Sequence, residues 1–245
     1  EALRTINRES DKFGRSTKVV DYQGKKVNYT YGKNGERLKI AYPKHPLTFS
    51  ATEHKPNILL ITVSGLRYDA VVSEKMPKLA EFALRSTQFT NHYSSGNTNN
   101  AGLVGLFYGL NANYTDSILS NHTPSVLIEK LRAEKYRFGL FSASGFKDSL
   151  FRQALFRSMA LAKEKTTNEN VVKQFIAQKS ETPWFVYLDL DLNAKDPIEY
   201  ERVLAQTDPL FEQILTDSTL ENTLVIITAE HGLSFSEMHK KDQYN

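Results

Sequence analysis

The stretch Pro56-Asn57-Ile58-Leu59-Leu60-Ile61-Thr62-Val63-Ser64-Gly65 decides the fold. Between Ile58 and Val63 only Thr62 interrupts an apolar run rich in β-branched side chains. A half-exposed strand would alternate polar with apolar, so an unbroken run of this length predicts a strand buried on both faces. Runs of the same kind recur at Arg137–Ser142, Trp184–Leu190 and Asn222–Thr228. The intervening segments have helical spacing. Met76-Pro77 starts one helix, with Leu79, Phe82 and Ala83 on a face, and Thr123-Pro124 starts another, with Val126, Leu127 and Leu131. Leu150–Leu161, Asn168–Gln178 and Pro197–Thr216 predict three more, the last carrying Leu204, Phe211, Ile214 and Leu215. Strand and helix in alternation predict an α/β fold, a mostly parallel sheet with helices on both faces.

The first 55 residues read differently. Leu3 and Ile6 give a weak helical pattern ending near Gly14, and from Lys18 to Tyr42 the β-formers Val19, Tyr22, Val27, Tyr29 and Tyr31 take over. Gln23-Gly24 and Lys33-Asn34-Gly35 are hairpin-turn signals, so a small β-rich segment is predicted. Tyr42-Pro43-Lys44-His45-Pro46 is an extended linker, since two prolines exclude a helix there. This sets the domains at 1–55 and 56–245, with the boundary between Pro43 and Lys55.

The chain has 245 residues, 40% hydrophobic and 24% charged, which suits a globular α/β domain with a small appendage. No run approaches the roughly 18 apolar residues of a membrane helix, and the opening Glu1-Ala2-Leu3-Arg4 lacks the apolar core of a signal peptide. A start at Glu1 fits a processed chain or an excised fragment, and an end one loop past a predicted strand implies continuation beyond Asn245. The absence of cysteine excludes disulfides, thiolate metal sites and Cys nucleophiles. The net charge of +3 is unevenly spread: residues 1–55 hold 12 Lys/Arg against 6 Asp/Glu, leaving 19 against 22 for the rest. A basic leader of this kind suits contact with anionic lipid or nucleic acid, and a plain solvated surface is the other reading.

Chemistry in an open α/β sheet belongs beyond the carboxyl ends of its strands. Two such ends are polar here, Val63-Ser64-Gly65 and Thr228-Ala229-Glu230-His231-Gly232. A third polar stretch, Tyr93-Ser94-Ser95-Gly96-Asn97-Thr98-Asn99-Asn100-Ala101-Gly102, has no apolar side chain between Tyr93 and Ala101 and precedes the apolar run Leu103–Leu110. It is either a plain surface connection or a site at the mouth of the core. Glu230 and His231 are residue types that ligate metals. A metal beside Thr98 would make its hydroxyl a nucleophile toward a phosphate or sulfate ester.

The order of apolar strand and polar turn, then Ser95-Gly96-Asn97-Thr98, then Ile226-Ile227-Thr228-Ala229-Glu230-His231-Gly232, resembles the alkaline phosphatase/sulfatase superfamily. Its membrane-anchored branch includes lipoteichoic acid synthases and phosphoethanolamine transferases. The chain is most similar to the sulfatase-like proteins of the Gram-negative inner membrane, through Ile61-Thr62-Val63, Ser94–Thr98, Gly105-Leu106-Phe107-Tyr108-Gly109 and Arg152-Gln153-Ala154-Leu155. The resemblance runs from about Pro56 to Glu237. It implies a periplasmic domain behind a membrane domain, linked by residues 1–55.

The resemblance also implies a nucleophile at Thr98, flanked by Asn97, Asn99 and Asn100 as ligand-binding residues, and a divalent cation (Mg²⁺, Mn²⁺ or Zn²⁺) held by Glu230, His231 and the position of Ser64. At two of these positions the chain departs from the pattern. Ser64 stands where the superfamily has a carboxylate, and Glu230 where it has the shorter Asp, with Asp69 as the nearest replacement acid. A hard cation would lose a strong ligand at Ser64, so the resemblance implies a weak or absent metal and a retained fold with faded catalysis. The function implied is binding of lipopolysaccharide (lipid A) or another anionic phospholipid and control of lipopolysaccharide synthesis. Control would pass through an adaptor protein of a protease pathway; nucleic acid is not an expected partner. The alternative is a metal-dependent phosphatase or phosphotransferase using Thr98.

Overall fold

The computed structural model describes residues 7–13, 16–20, 26–31, 37–41, 55–90, 92–178 and 182–235. They divide into two compact units, one up to residue 53 and one from residue 54. The first is an antiparallel sheet in which β1 (Asn7–Ser10), β2 (Ser16–Val20), β3 (Lys26–Tyr31) and β4 (Arg37–Ala41) pair in sequence order. The helical pattern expected near the N-terminus is therefore corrected at residues 7–10, which form a strand. Opposite β2, Glu9 faces Lys18 in register, and the pair closes as a cross-strand ion pair at 2.6 Å. The predicted turns at Gln23-Gly24 and Lys33-Asn34-Gly35 and the linker Tyr42–Pro46 lie outside the described residues.

The second unit is built on β5 (Asn57–Ser64), β6 (Arg137–Ser142), β7 (Trp184–Asp191) and β8 (Thr223–Thr228), all parallel, in the order β6-β7-β5-β8. The helices are α1 (Pro77–Leu84), α2 (Asn99–Tyr108), α3 (Thr115–Ser120), α4 (Val126–Ala133), α5 (Asn168–Ala177), α6 (Pro197–Ile214) and α7 (Asp217–Leu220). The expected α/β fold is present, with two cores. On one face Leu59, Ile61 and Val63 of β5 and Val186, Leu188 and Leu190 of β7 pack with α1, α5 and α6. On the other, Leu60, Phe185 and Tyr187 pack with α2, α4 and the segment Phe146–Phe156. There the rings of Phe107, Phe146, Phe151, Phe156 and Tyr187 meet with centroids 5.1–6.2 Å apart, a spacing that favours aromatic pairs.

Three local readings change. The segment expected as a helix over Leu150–Leu161 is a short π-helix, Leu150–Leu155. It is followed by irregular chain in which Ser158 takes φ 70°. The first turn of α4 turns Val126 and Leu127 outward, at 80% and 40% exposure, and buries Ile128 and Leu131 instead. The N-cap explains the phase: Ser125 is buried, accepts the Ile128 N–H and donates to the Phe107 carbonyl. Finally, β8 is an edge strand among the described residues. It buries Val225 and Ile227 against the first core but leaves Leu224 and Ile226 52% and 40% exposed.

α1 is capped from a distance. Met76 at its N-cap offers no side-chain acceptor, but the buried Asp208 of α6 accepts the N–H groups of Lys78 and Leu79, both at 3.0 Å. These are the donors a local cap would satisfy, so one carboxylate both starts α1 and fixes it to α6. Asp208→Ala is expected to lower stability by about 2 kcal/mol, read as a shift in the urea midpoint. An unchanged midpoint would show that α1 does not depend on this contact.

Candidate functional site

The two-residue period of the strands builds the site. On the α2 side of the sheet, neighbouring strands bring rows of side chains into register. The row Phe138, Phe185, Ile58 and Leu224 is followed by Leu140, Tyr187, Leu60 and Ile226, and then by Ser142, Asp189, Thr62 and Thr228. Moving toward the carboxyl ends, each strand passes from apolar to polar on this face. Ser64 and Glu230 continue the polar rows of β5 and β8. The result is a buried polar cap on an aromatic core.

Within this cap Asp189 and Glu230 are 2% and 3% exposed. Among the described residues their side-chain partners are hydroxyl groups. Ser142 and Ser144 donate to Asp189 Oδ2 at 2.6 and 2.8 Å, and Thr62 lies 3.3 Å from Oδ1. The Ser64 hydroxyl sits between the two acids, 3.0 Å from Glu230 Oε2 and 3.5 Å from Asp189 Oδ1. Tyr187, fully buried, donates to Glu230 Oε1 at 3.4 Å and receives the Thr62 hydroxyl at 3.0 Å. Burial and the facing Glu230 carboxylate push the Asp189 carboxyl up to about 7, against the opposing Ser142 and Ser144 hydroxyls. Burial, and then the two neighbouring acids, holds the Tyr187 phenol far above its usual range.

The polar loop ends at Thr98, which is the N-cap of α2 and receives the Ala101 N–H at 3.4 Å. Asn99 and Asn100 thus belong to the first turn of the helix. Thr98, Asn97 and Asn99 are exposed, while Asn100 Oδ1 is buried without a hydrogen-bond partner. Asn99 Oδ1 meets Nε2 of His231, whose Nδ1 lies 3.2 Å from the Gly232 carbonyl. The loop is pinned to the end of β8, because the Ser94 hydroxyl reaches the Glu230 carbonyl. Gly102 makes the approach possible: a Cβ there would stand 2.1 Å from the same carbonyl.

The structure therefore brings Ser64 and Glu230 together but turns His231 toward Asn99 and leaves Thr98 facing its own helix. Asp69 does not replace the missing acid. It forms a two-pronged pair with Arg67, both contacts at 2.8 Å, which holds its carboxyl below the usual range. The acid beside Ser64 is Asp189, and the sequence marks it only as a lone acid inside an apolar strand. Asp191 was also missed. It ends β7, with its backbone held by Asn168 through two contacts of 2.9 Å, and burial raises its carboxyl while Lys165 and His231 draw it down. The donor set does not fit a divalent cation. The buried acids bind hydroxyls, Ser64 offers only a neutral oxygen, and no group of three His, Asp or Glu is arranged around a common point among the described residues.

No family model matches the chain. It is 64% identical over 217 residues to an uncharacterized protein of Haemophilus influenzae, covering 86% of this chain. It is 34% identical over 217 residues to the inner membrane protein YejM of Salmonella typhimurium and of Salmonella typhi, covering 82% of this chain. The chain spans 37% of the length of each of these relatives. None of its described helices is long and apolar enough to cross a membrane.

A carboxyl with a raised folded pKa holds its proton more tightly when folded. Its contribution to stability is complete below the unfolded value, near 3.8, and is lost as pH rises toward about 7. Asp189→Asn, which keeps the shape of the protonated acid, is expected to gain stability relative to the parent across that window. The gain should reach on the order of a few kcal/mol above it. Urea unfolding of both proteins from acid to mildly alkaline pH measures the difference; a difference that does not vary with pH would show that folding leaves the Asp189 pKa unshifted.

Proposed function

Over the matched residues the chain belongs to the family of the inner membrane protein YejM, and on that premise we propose that it forms the periplasmic part of an inner-membrane regulator. In this reading it binds lipopolysaccharide through lipid A, or a related anionic phospholipid, and controls lipopolysaccharide synthesis without catalysis of its own.

The observation that carries the non-catalytic half of the reading is the Ser64–Glu230 contact at 3.0 Å. A hydrolase of the alkaline phosphatase/sulfatase kind needs an acid at Ser64 and a metal-facing acid at Glu230. Here a neutral hydroxyl binds that acid internally, and both side chains are buried. The Thr98 hydroxyl serves as a helix cap, accepting the Ala101 N–H. The lipid half rests on the basic leader, because Lys and Arg next to a membrane pair with anionic head groups. Signalling to an adaptor of the protease pathway would belong to the whole protein, of which this chain matches 37%.

Flotation with vesicles containing lipid A, compared with neutral phosphatidylcholine vesicles, tests both halves. Binding to the lipid A vesicles is expected, weakened when Lys25, Lys26, Lys33, Arg37 and Lys39 are changed to Gln and unchanged by Thr98→Ala. Equal binding to both vesicles would remove the lipid assignment. Phosphate release dependent on Mg²⁺, Mn²⁺ or Zn²⁺ and abolished by Thr98→Ala would establish the alternative, a phosphatase or phosphotransferase.

A further inference from the structure

At the opposite end of the sheet from the acidic cap, where β7 begins, a cleft of about 530 Å³ opens between the C-terminal ends of α5 and α6. Its size falls within the range of about 300–1,000 Å³ seen for small-molecule sites. Trp184 and Phe175 supply apolar ring surface, Gln178 and Gln213 supply amides, and Thr216 and Thr219 supply hydroxyls. No charged residue lines it among the described residues.

Each feature narrows the ligand. α5 ends at Ala177 and α6 at Ile214, so two helix C-termini with their unpaired carbonyls and partial negative charge meet near the cleft. The N-terminal turn of α7, capped by Thr216, also reaches the lining through Ser218 and Thr219, so helix ends of both signs meet there and the lining amides and hydroxyls select the ligand. The lining carries no carboxylate to recognise a cation. Amides and hydroxyls both donate and accept. The Thr216 hydroxyl already exchanges hydrogen bonds with Ser218 and Thr219, at 3.0 and 3.1 Å, so ligand hydroxyls would join a set that can reorient. The ring surfaces call for a ligand with one apolar face.

We propose that this cleft is a binding site for a neutral saccharide, with a pyranose ring lying against Trp184 and its hydroxyls meeting Gln213 and Thr219. The proposal is independent of the lipid reading, since it uses a different end of the sheet and no charged group.

Trp184 is the only tryptophan of the chain, so its fluorescence reports this cleft directly. The full chain is titrated with glucose, N-acetylglucosamine and their short oligomers, with inorganic phosphate as the anionic comparison. At least one saccharide should give a saturable change, and Gln213→Ala, a change at an exposed position, should weaken it about three- to tenfold. Circular dichroism confirms that the variant is folded, and Thr219→Ala provides a second variant. The proposal is overturned by the lack of a saturable change with any saccharide, by affinities unaltered in both variants, or by an equal response to phosphate.

Discussion

Two acids with only hydroxyls to face them, Asp189 and Glu230, set the terms for the rest of this structure. Burying a carboxylate without a cation is costly, and the fold meets that cost with Ser142, Ser144, Thr62, Ser64 and Tyr187. All but Ser144, which lies just past β6, come from β6, β5 and β7 and converge because parallel strands in register place alternate side chains on one face. α2 closes the cap only because Gly102 lets its backbone touch the Glu230 carbonyl. The cap is thus a packing solution as much as a site, and its tolerance of change is low: any charge left on either acid must be carried by dipoles already committed.

The hydroxyl of Ser64 stands between Glu230 and Asp189; a carboxylate at that position would gather three negative groups at the strand ends. The loop around Thr98 keeps its position through Ser94 and Asn99, so the outline of the cleft persists while its interior is tied up. Over the matched residues the chain belongs to the YejM family of inner membrane proteins.

The sheet was legible because its signal is strong. The run at Ile58–Val63 is buried at every position except the half-buried Ile58, and the pattern beginning at Pro197 is α6, which the structure caps with Asp196 accepting the Glu199 N–H at 2.8 Å. Helix phase was less legible. Val126 and Leu127 have the right spacing, but the Ser125 bond to Phe107, which is distant in sequence, rotates them outward. Leu150–Leu161 has helical composition, yet its rings are drawn into the Phe107–Tyr187 cluster after one wide turn. At the site, Ser64, Glu230 and His231 were visible as polar residues at strand ends, and Thr98 as part of the polar stretch before the apolar run Leu103–Leu110. Asp189 was not, since its meaning depends on which residues of β5 and β6 stand beside it.

The most direct test of the closed cap is an infrared titration of its carboxyl groups. A protonated carboxyl should persist to about pH 7 and disappear from the spectrum of Asp189→Asn. Complete ionisation of every carboxyl by about pH 5 would contradict the account, because a doubly charged pair would then stand in the core and call for a cation to bind it.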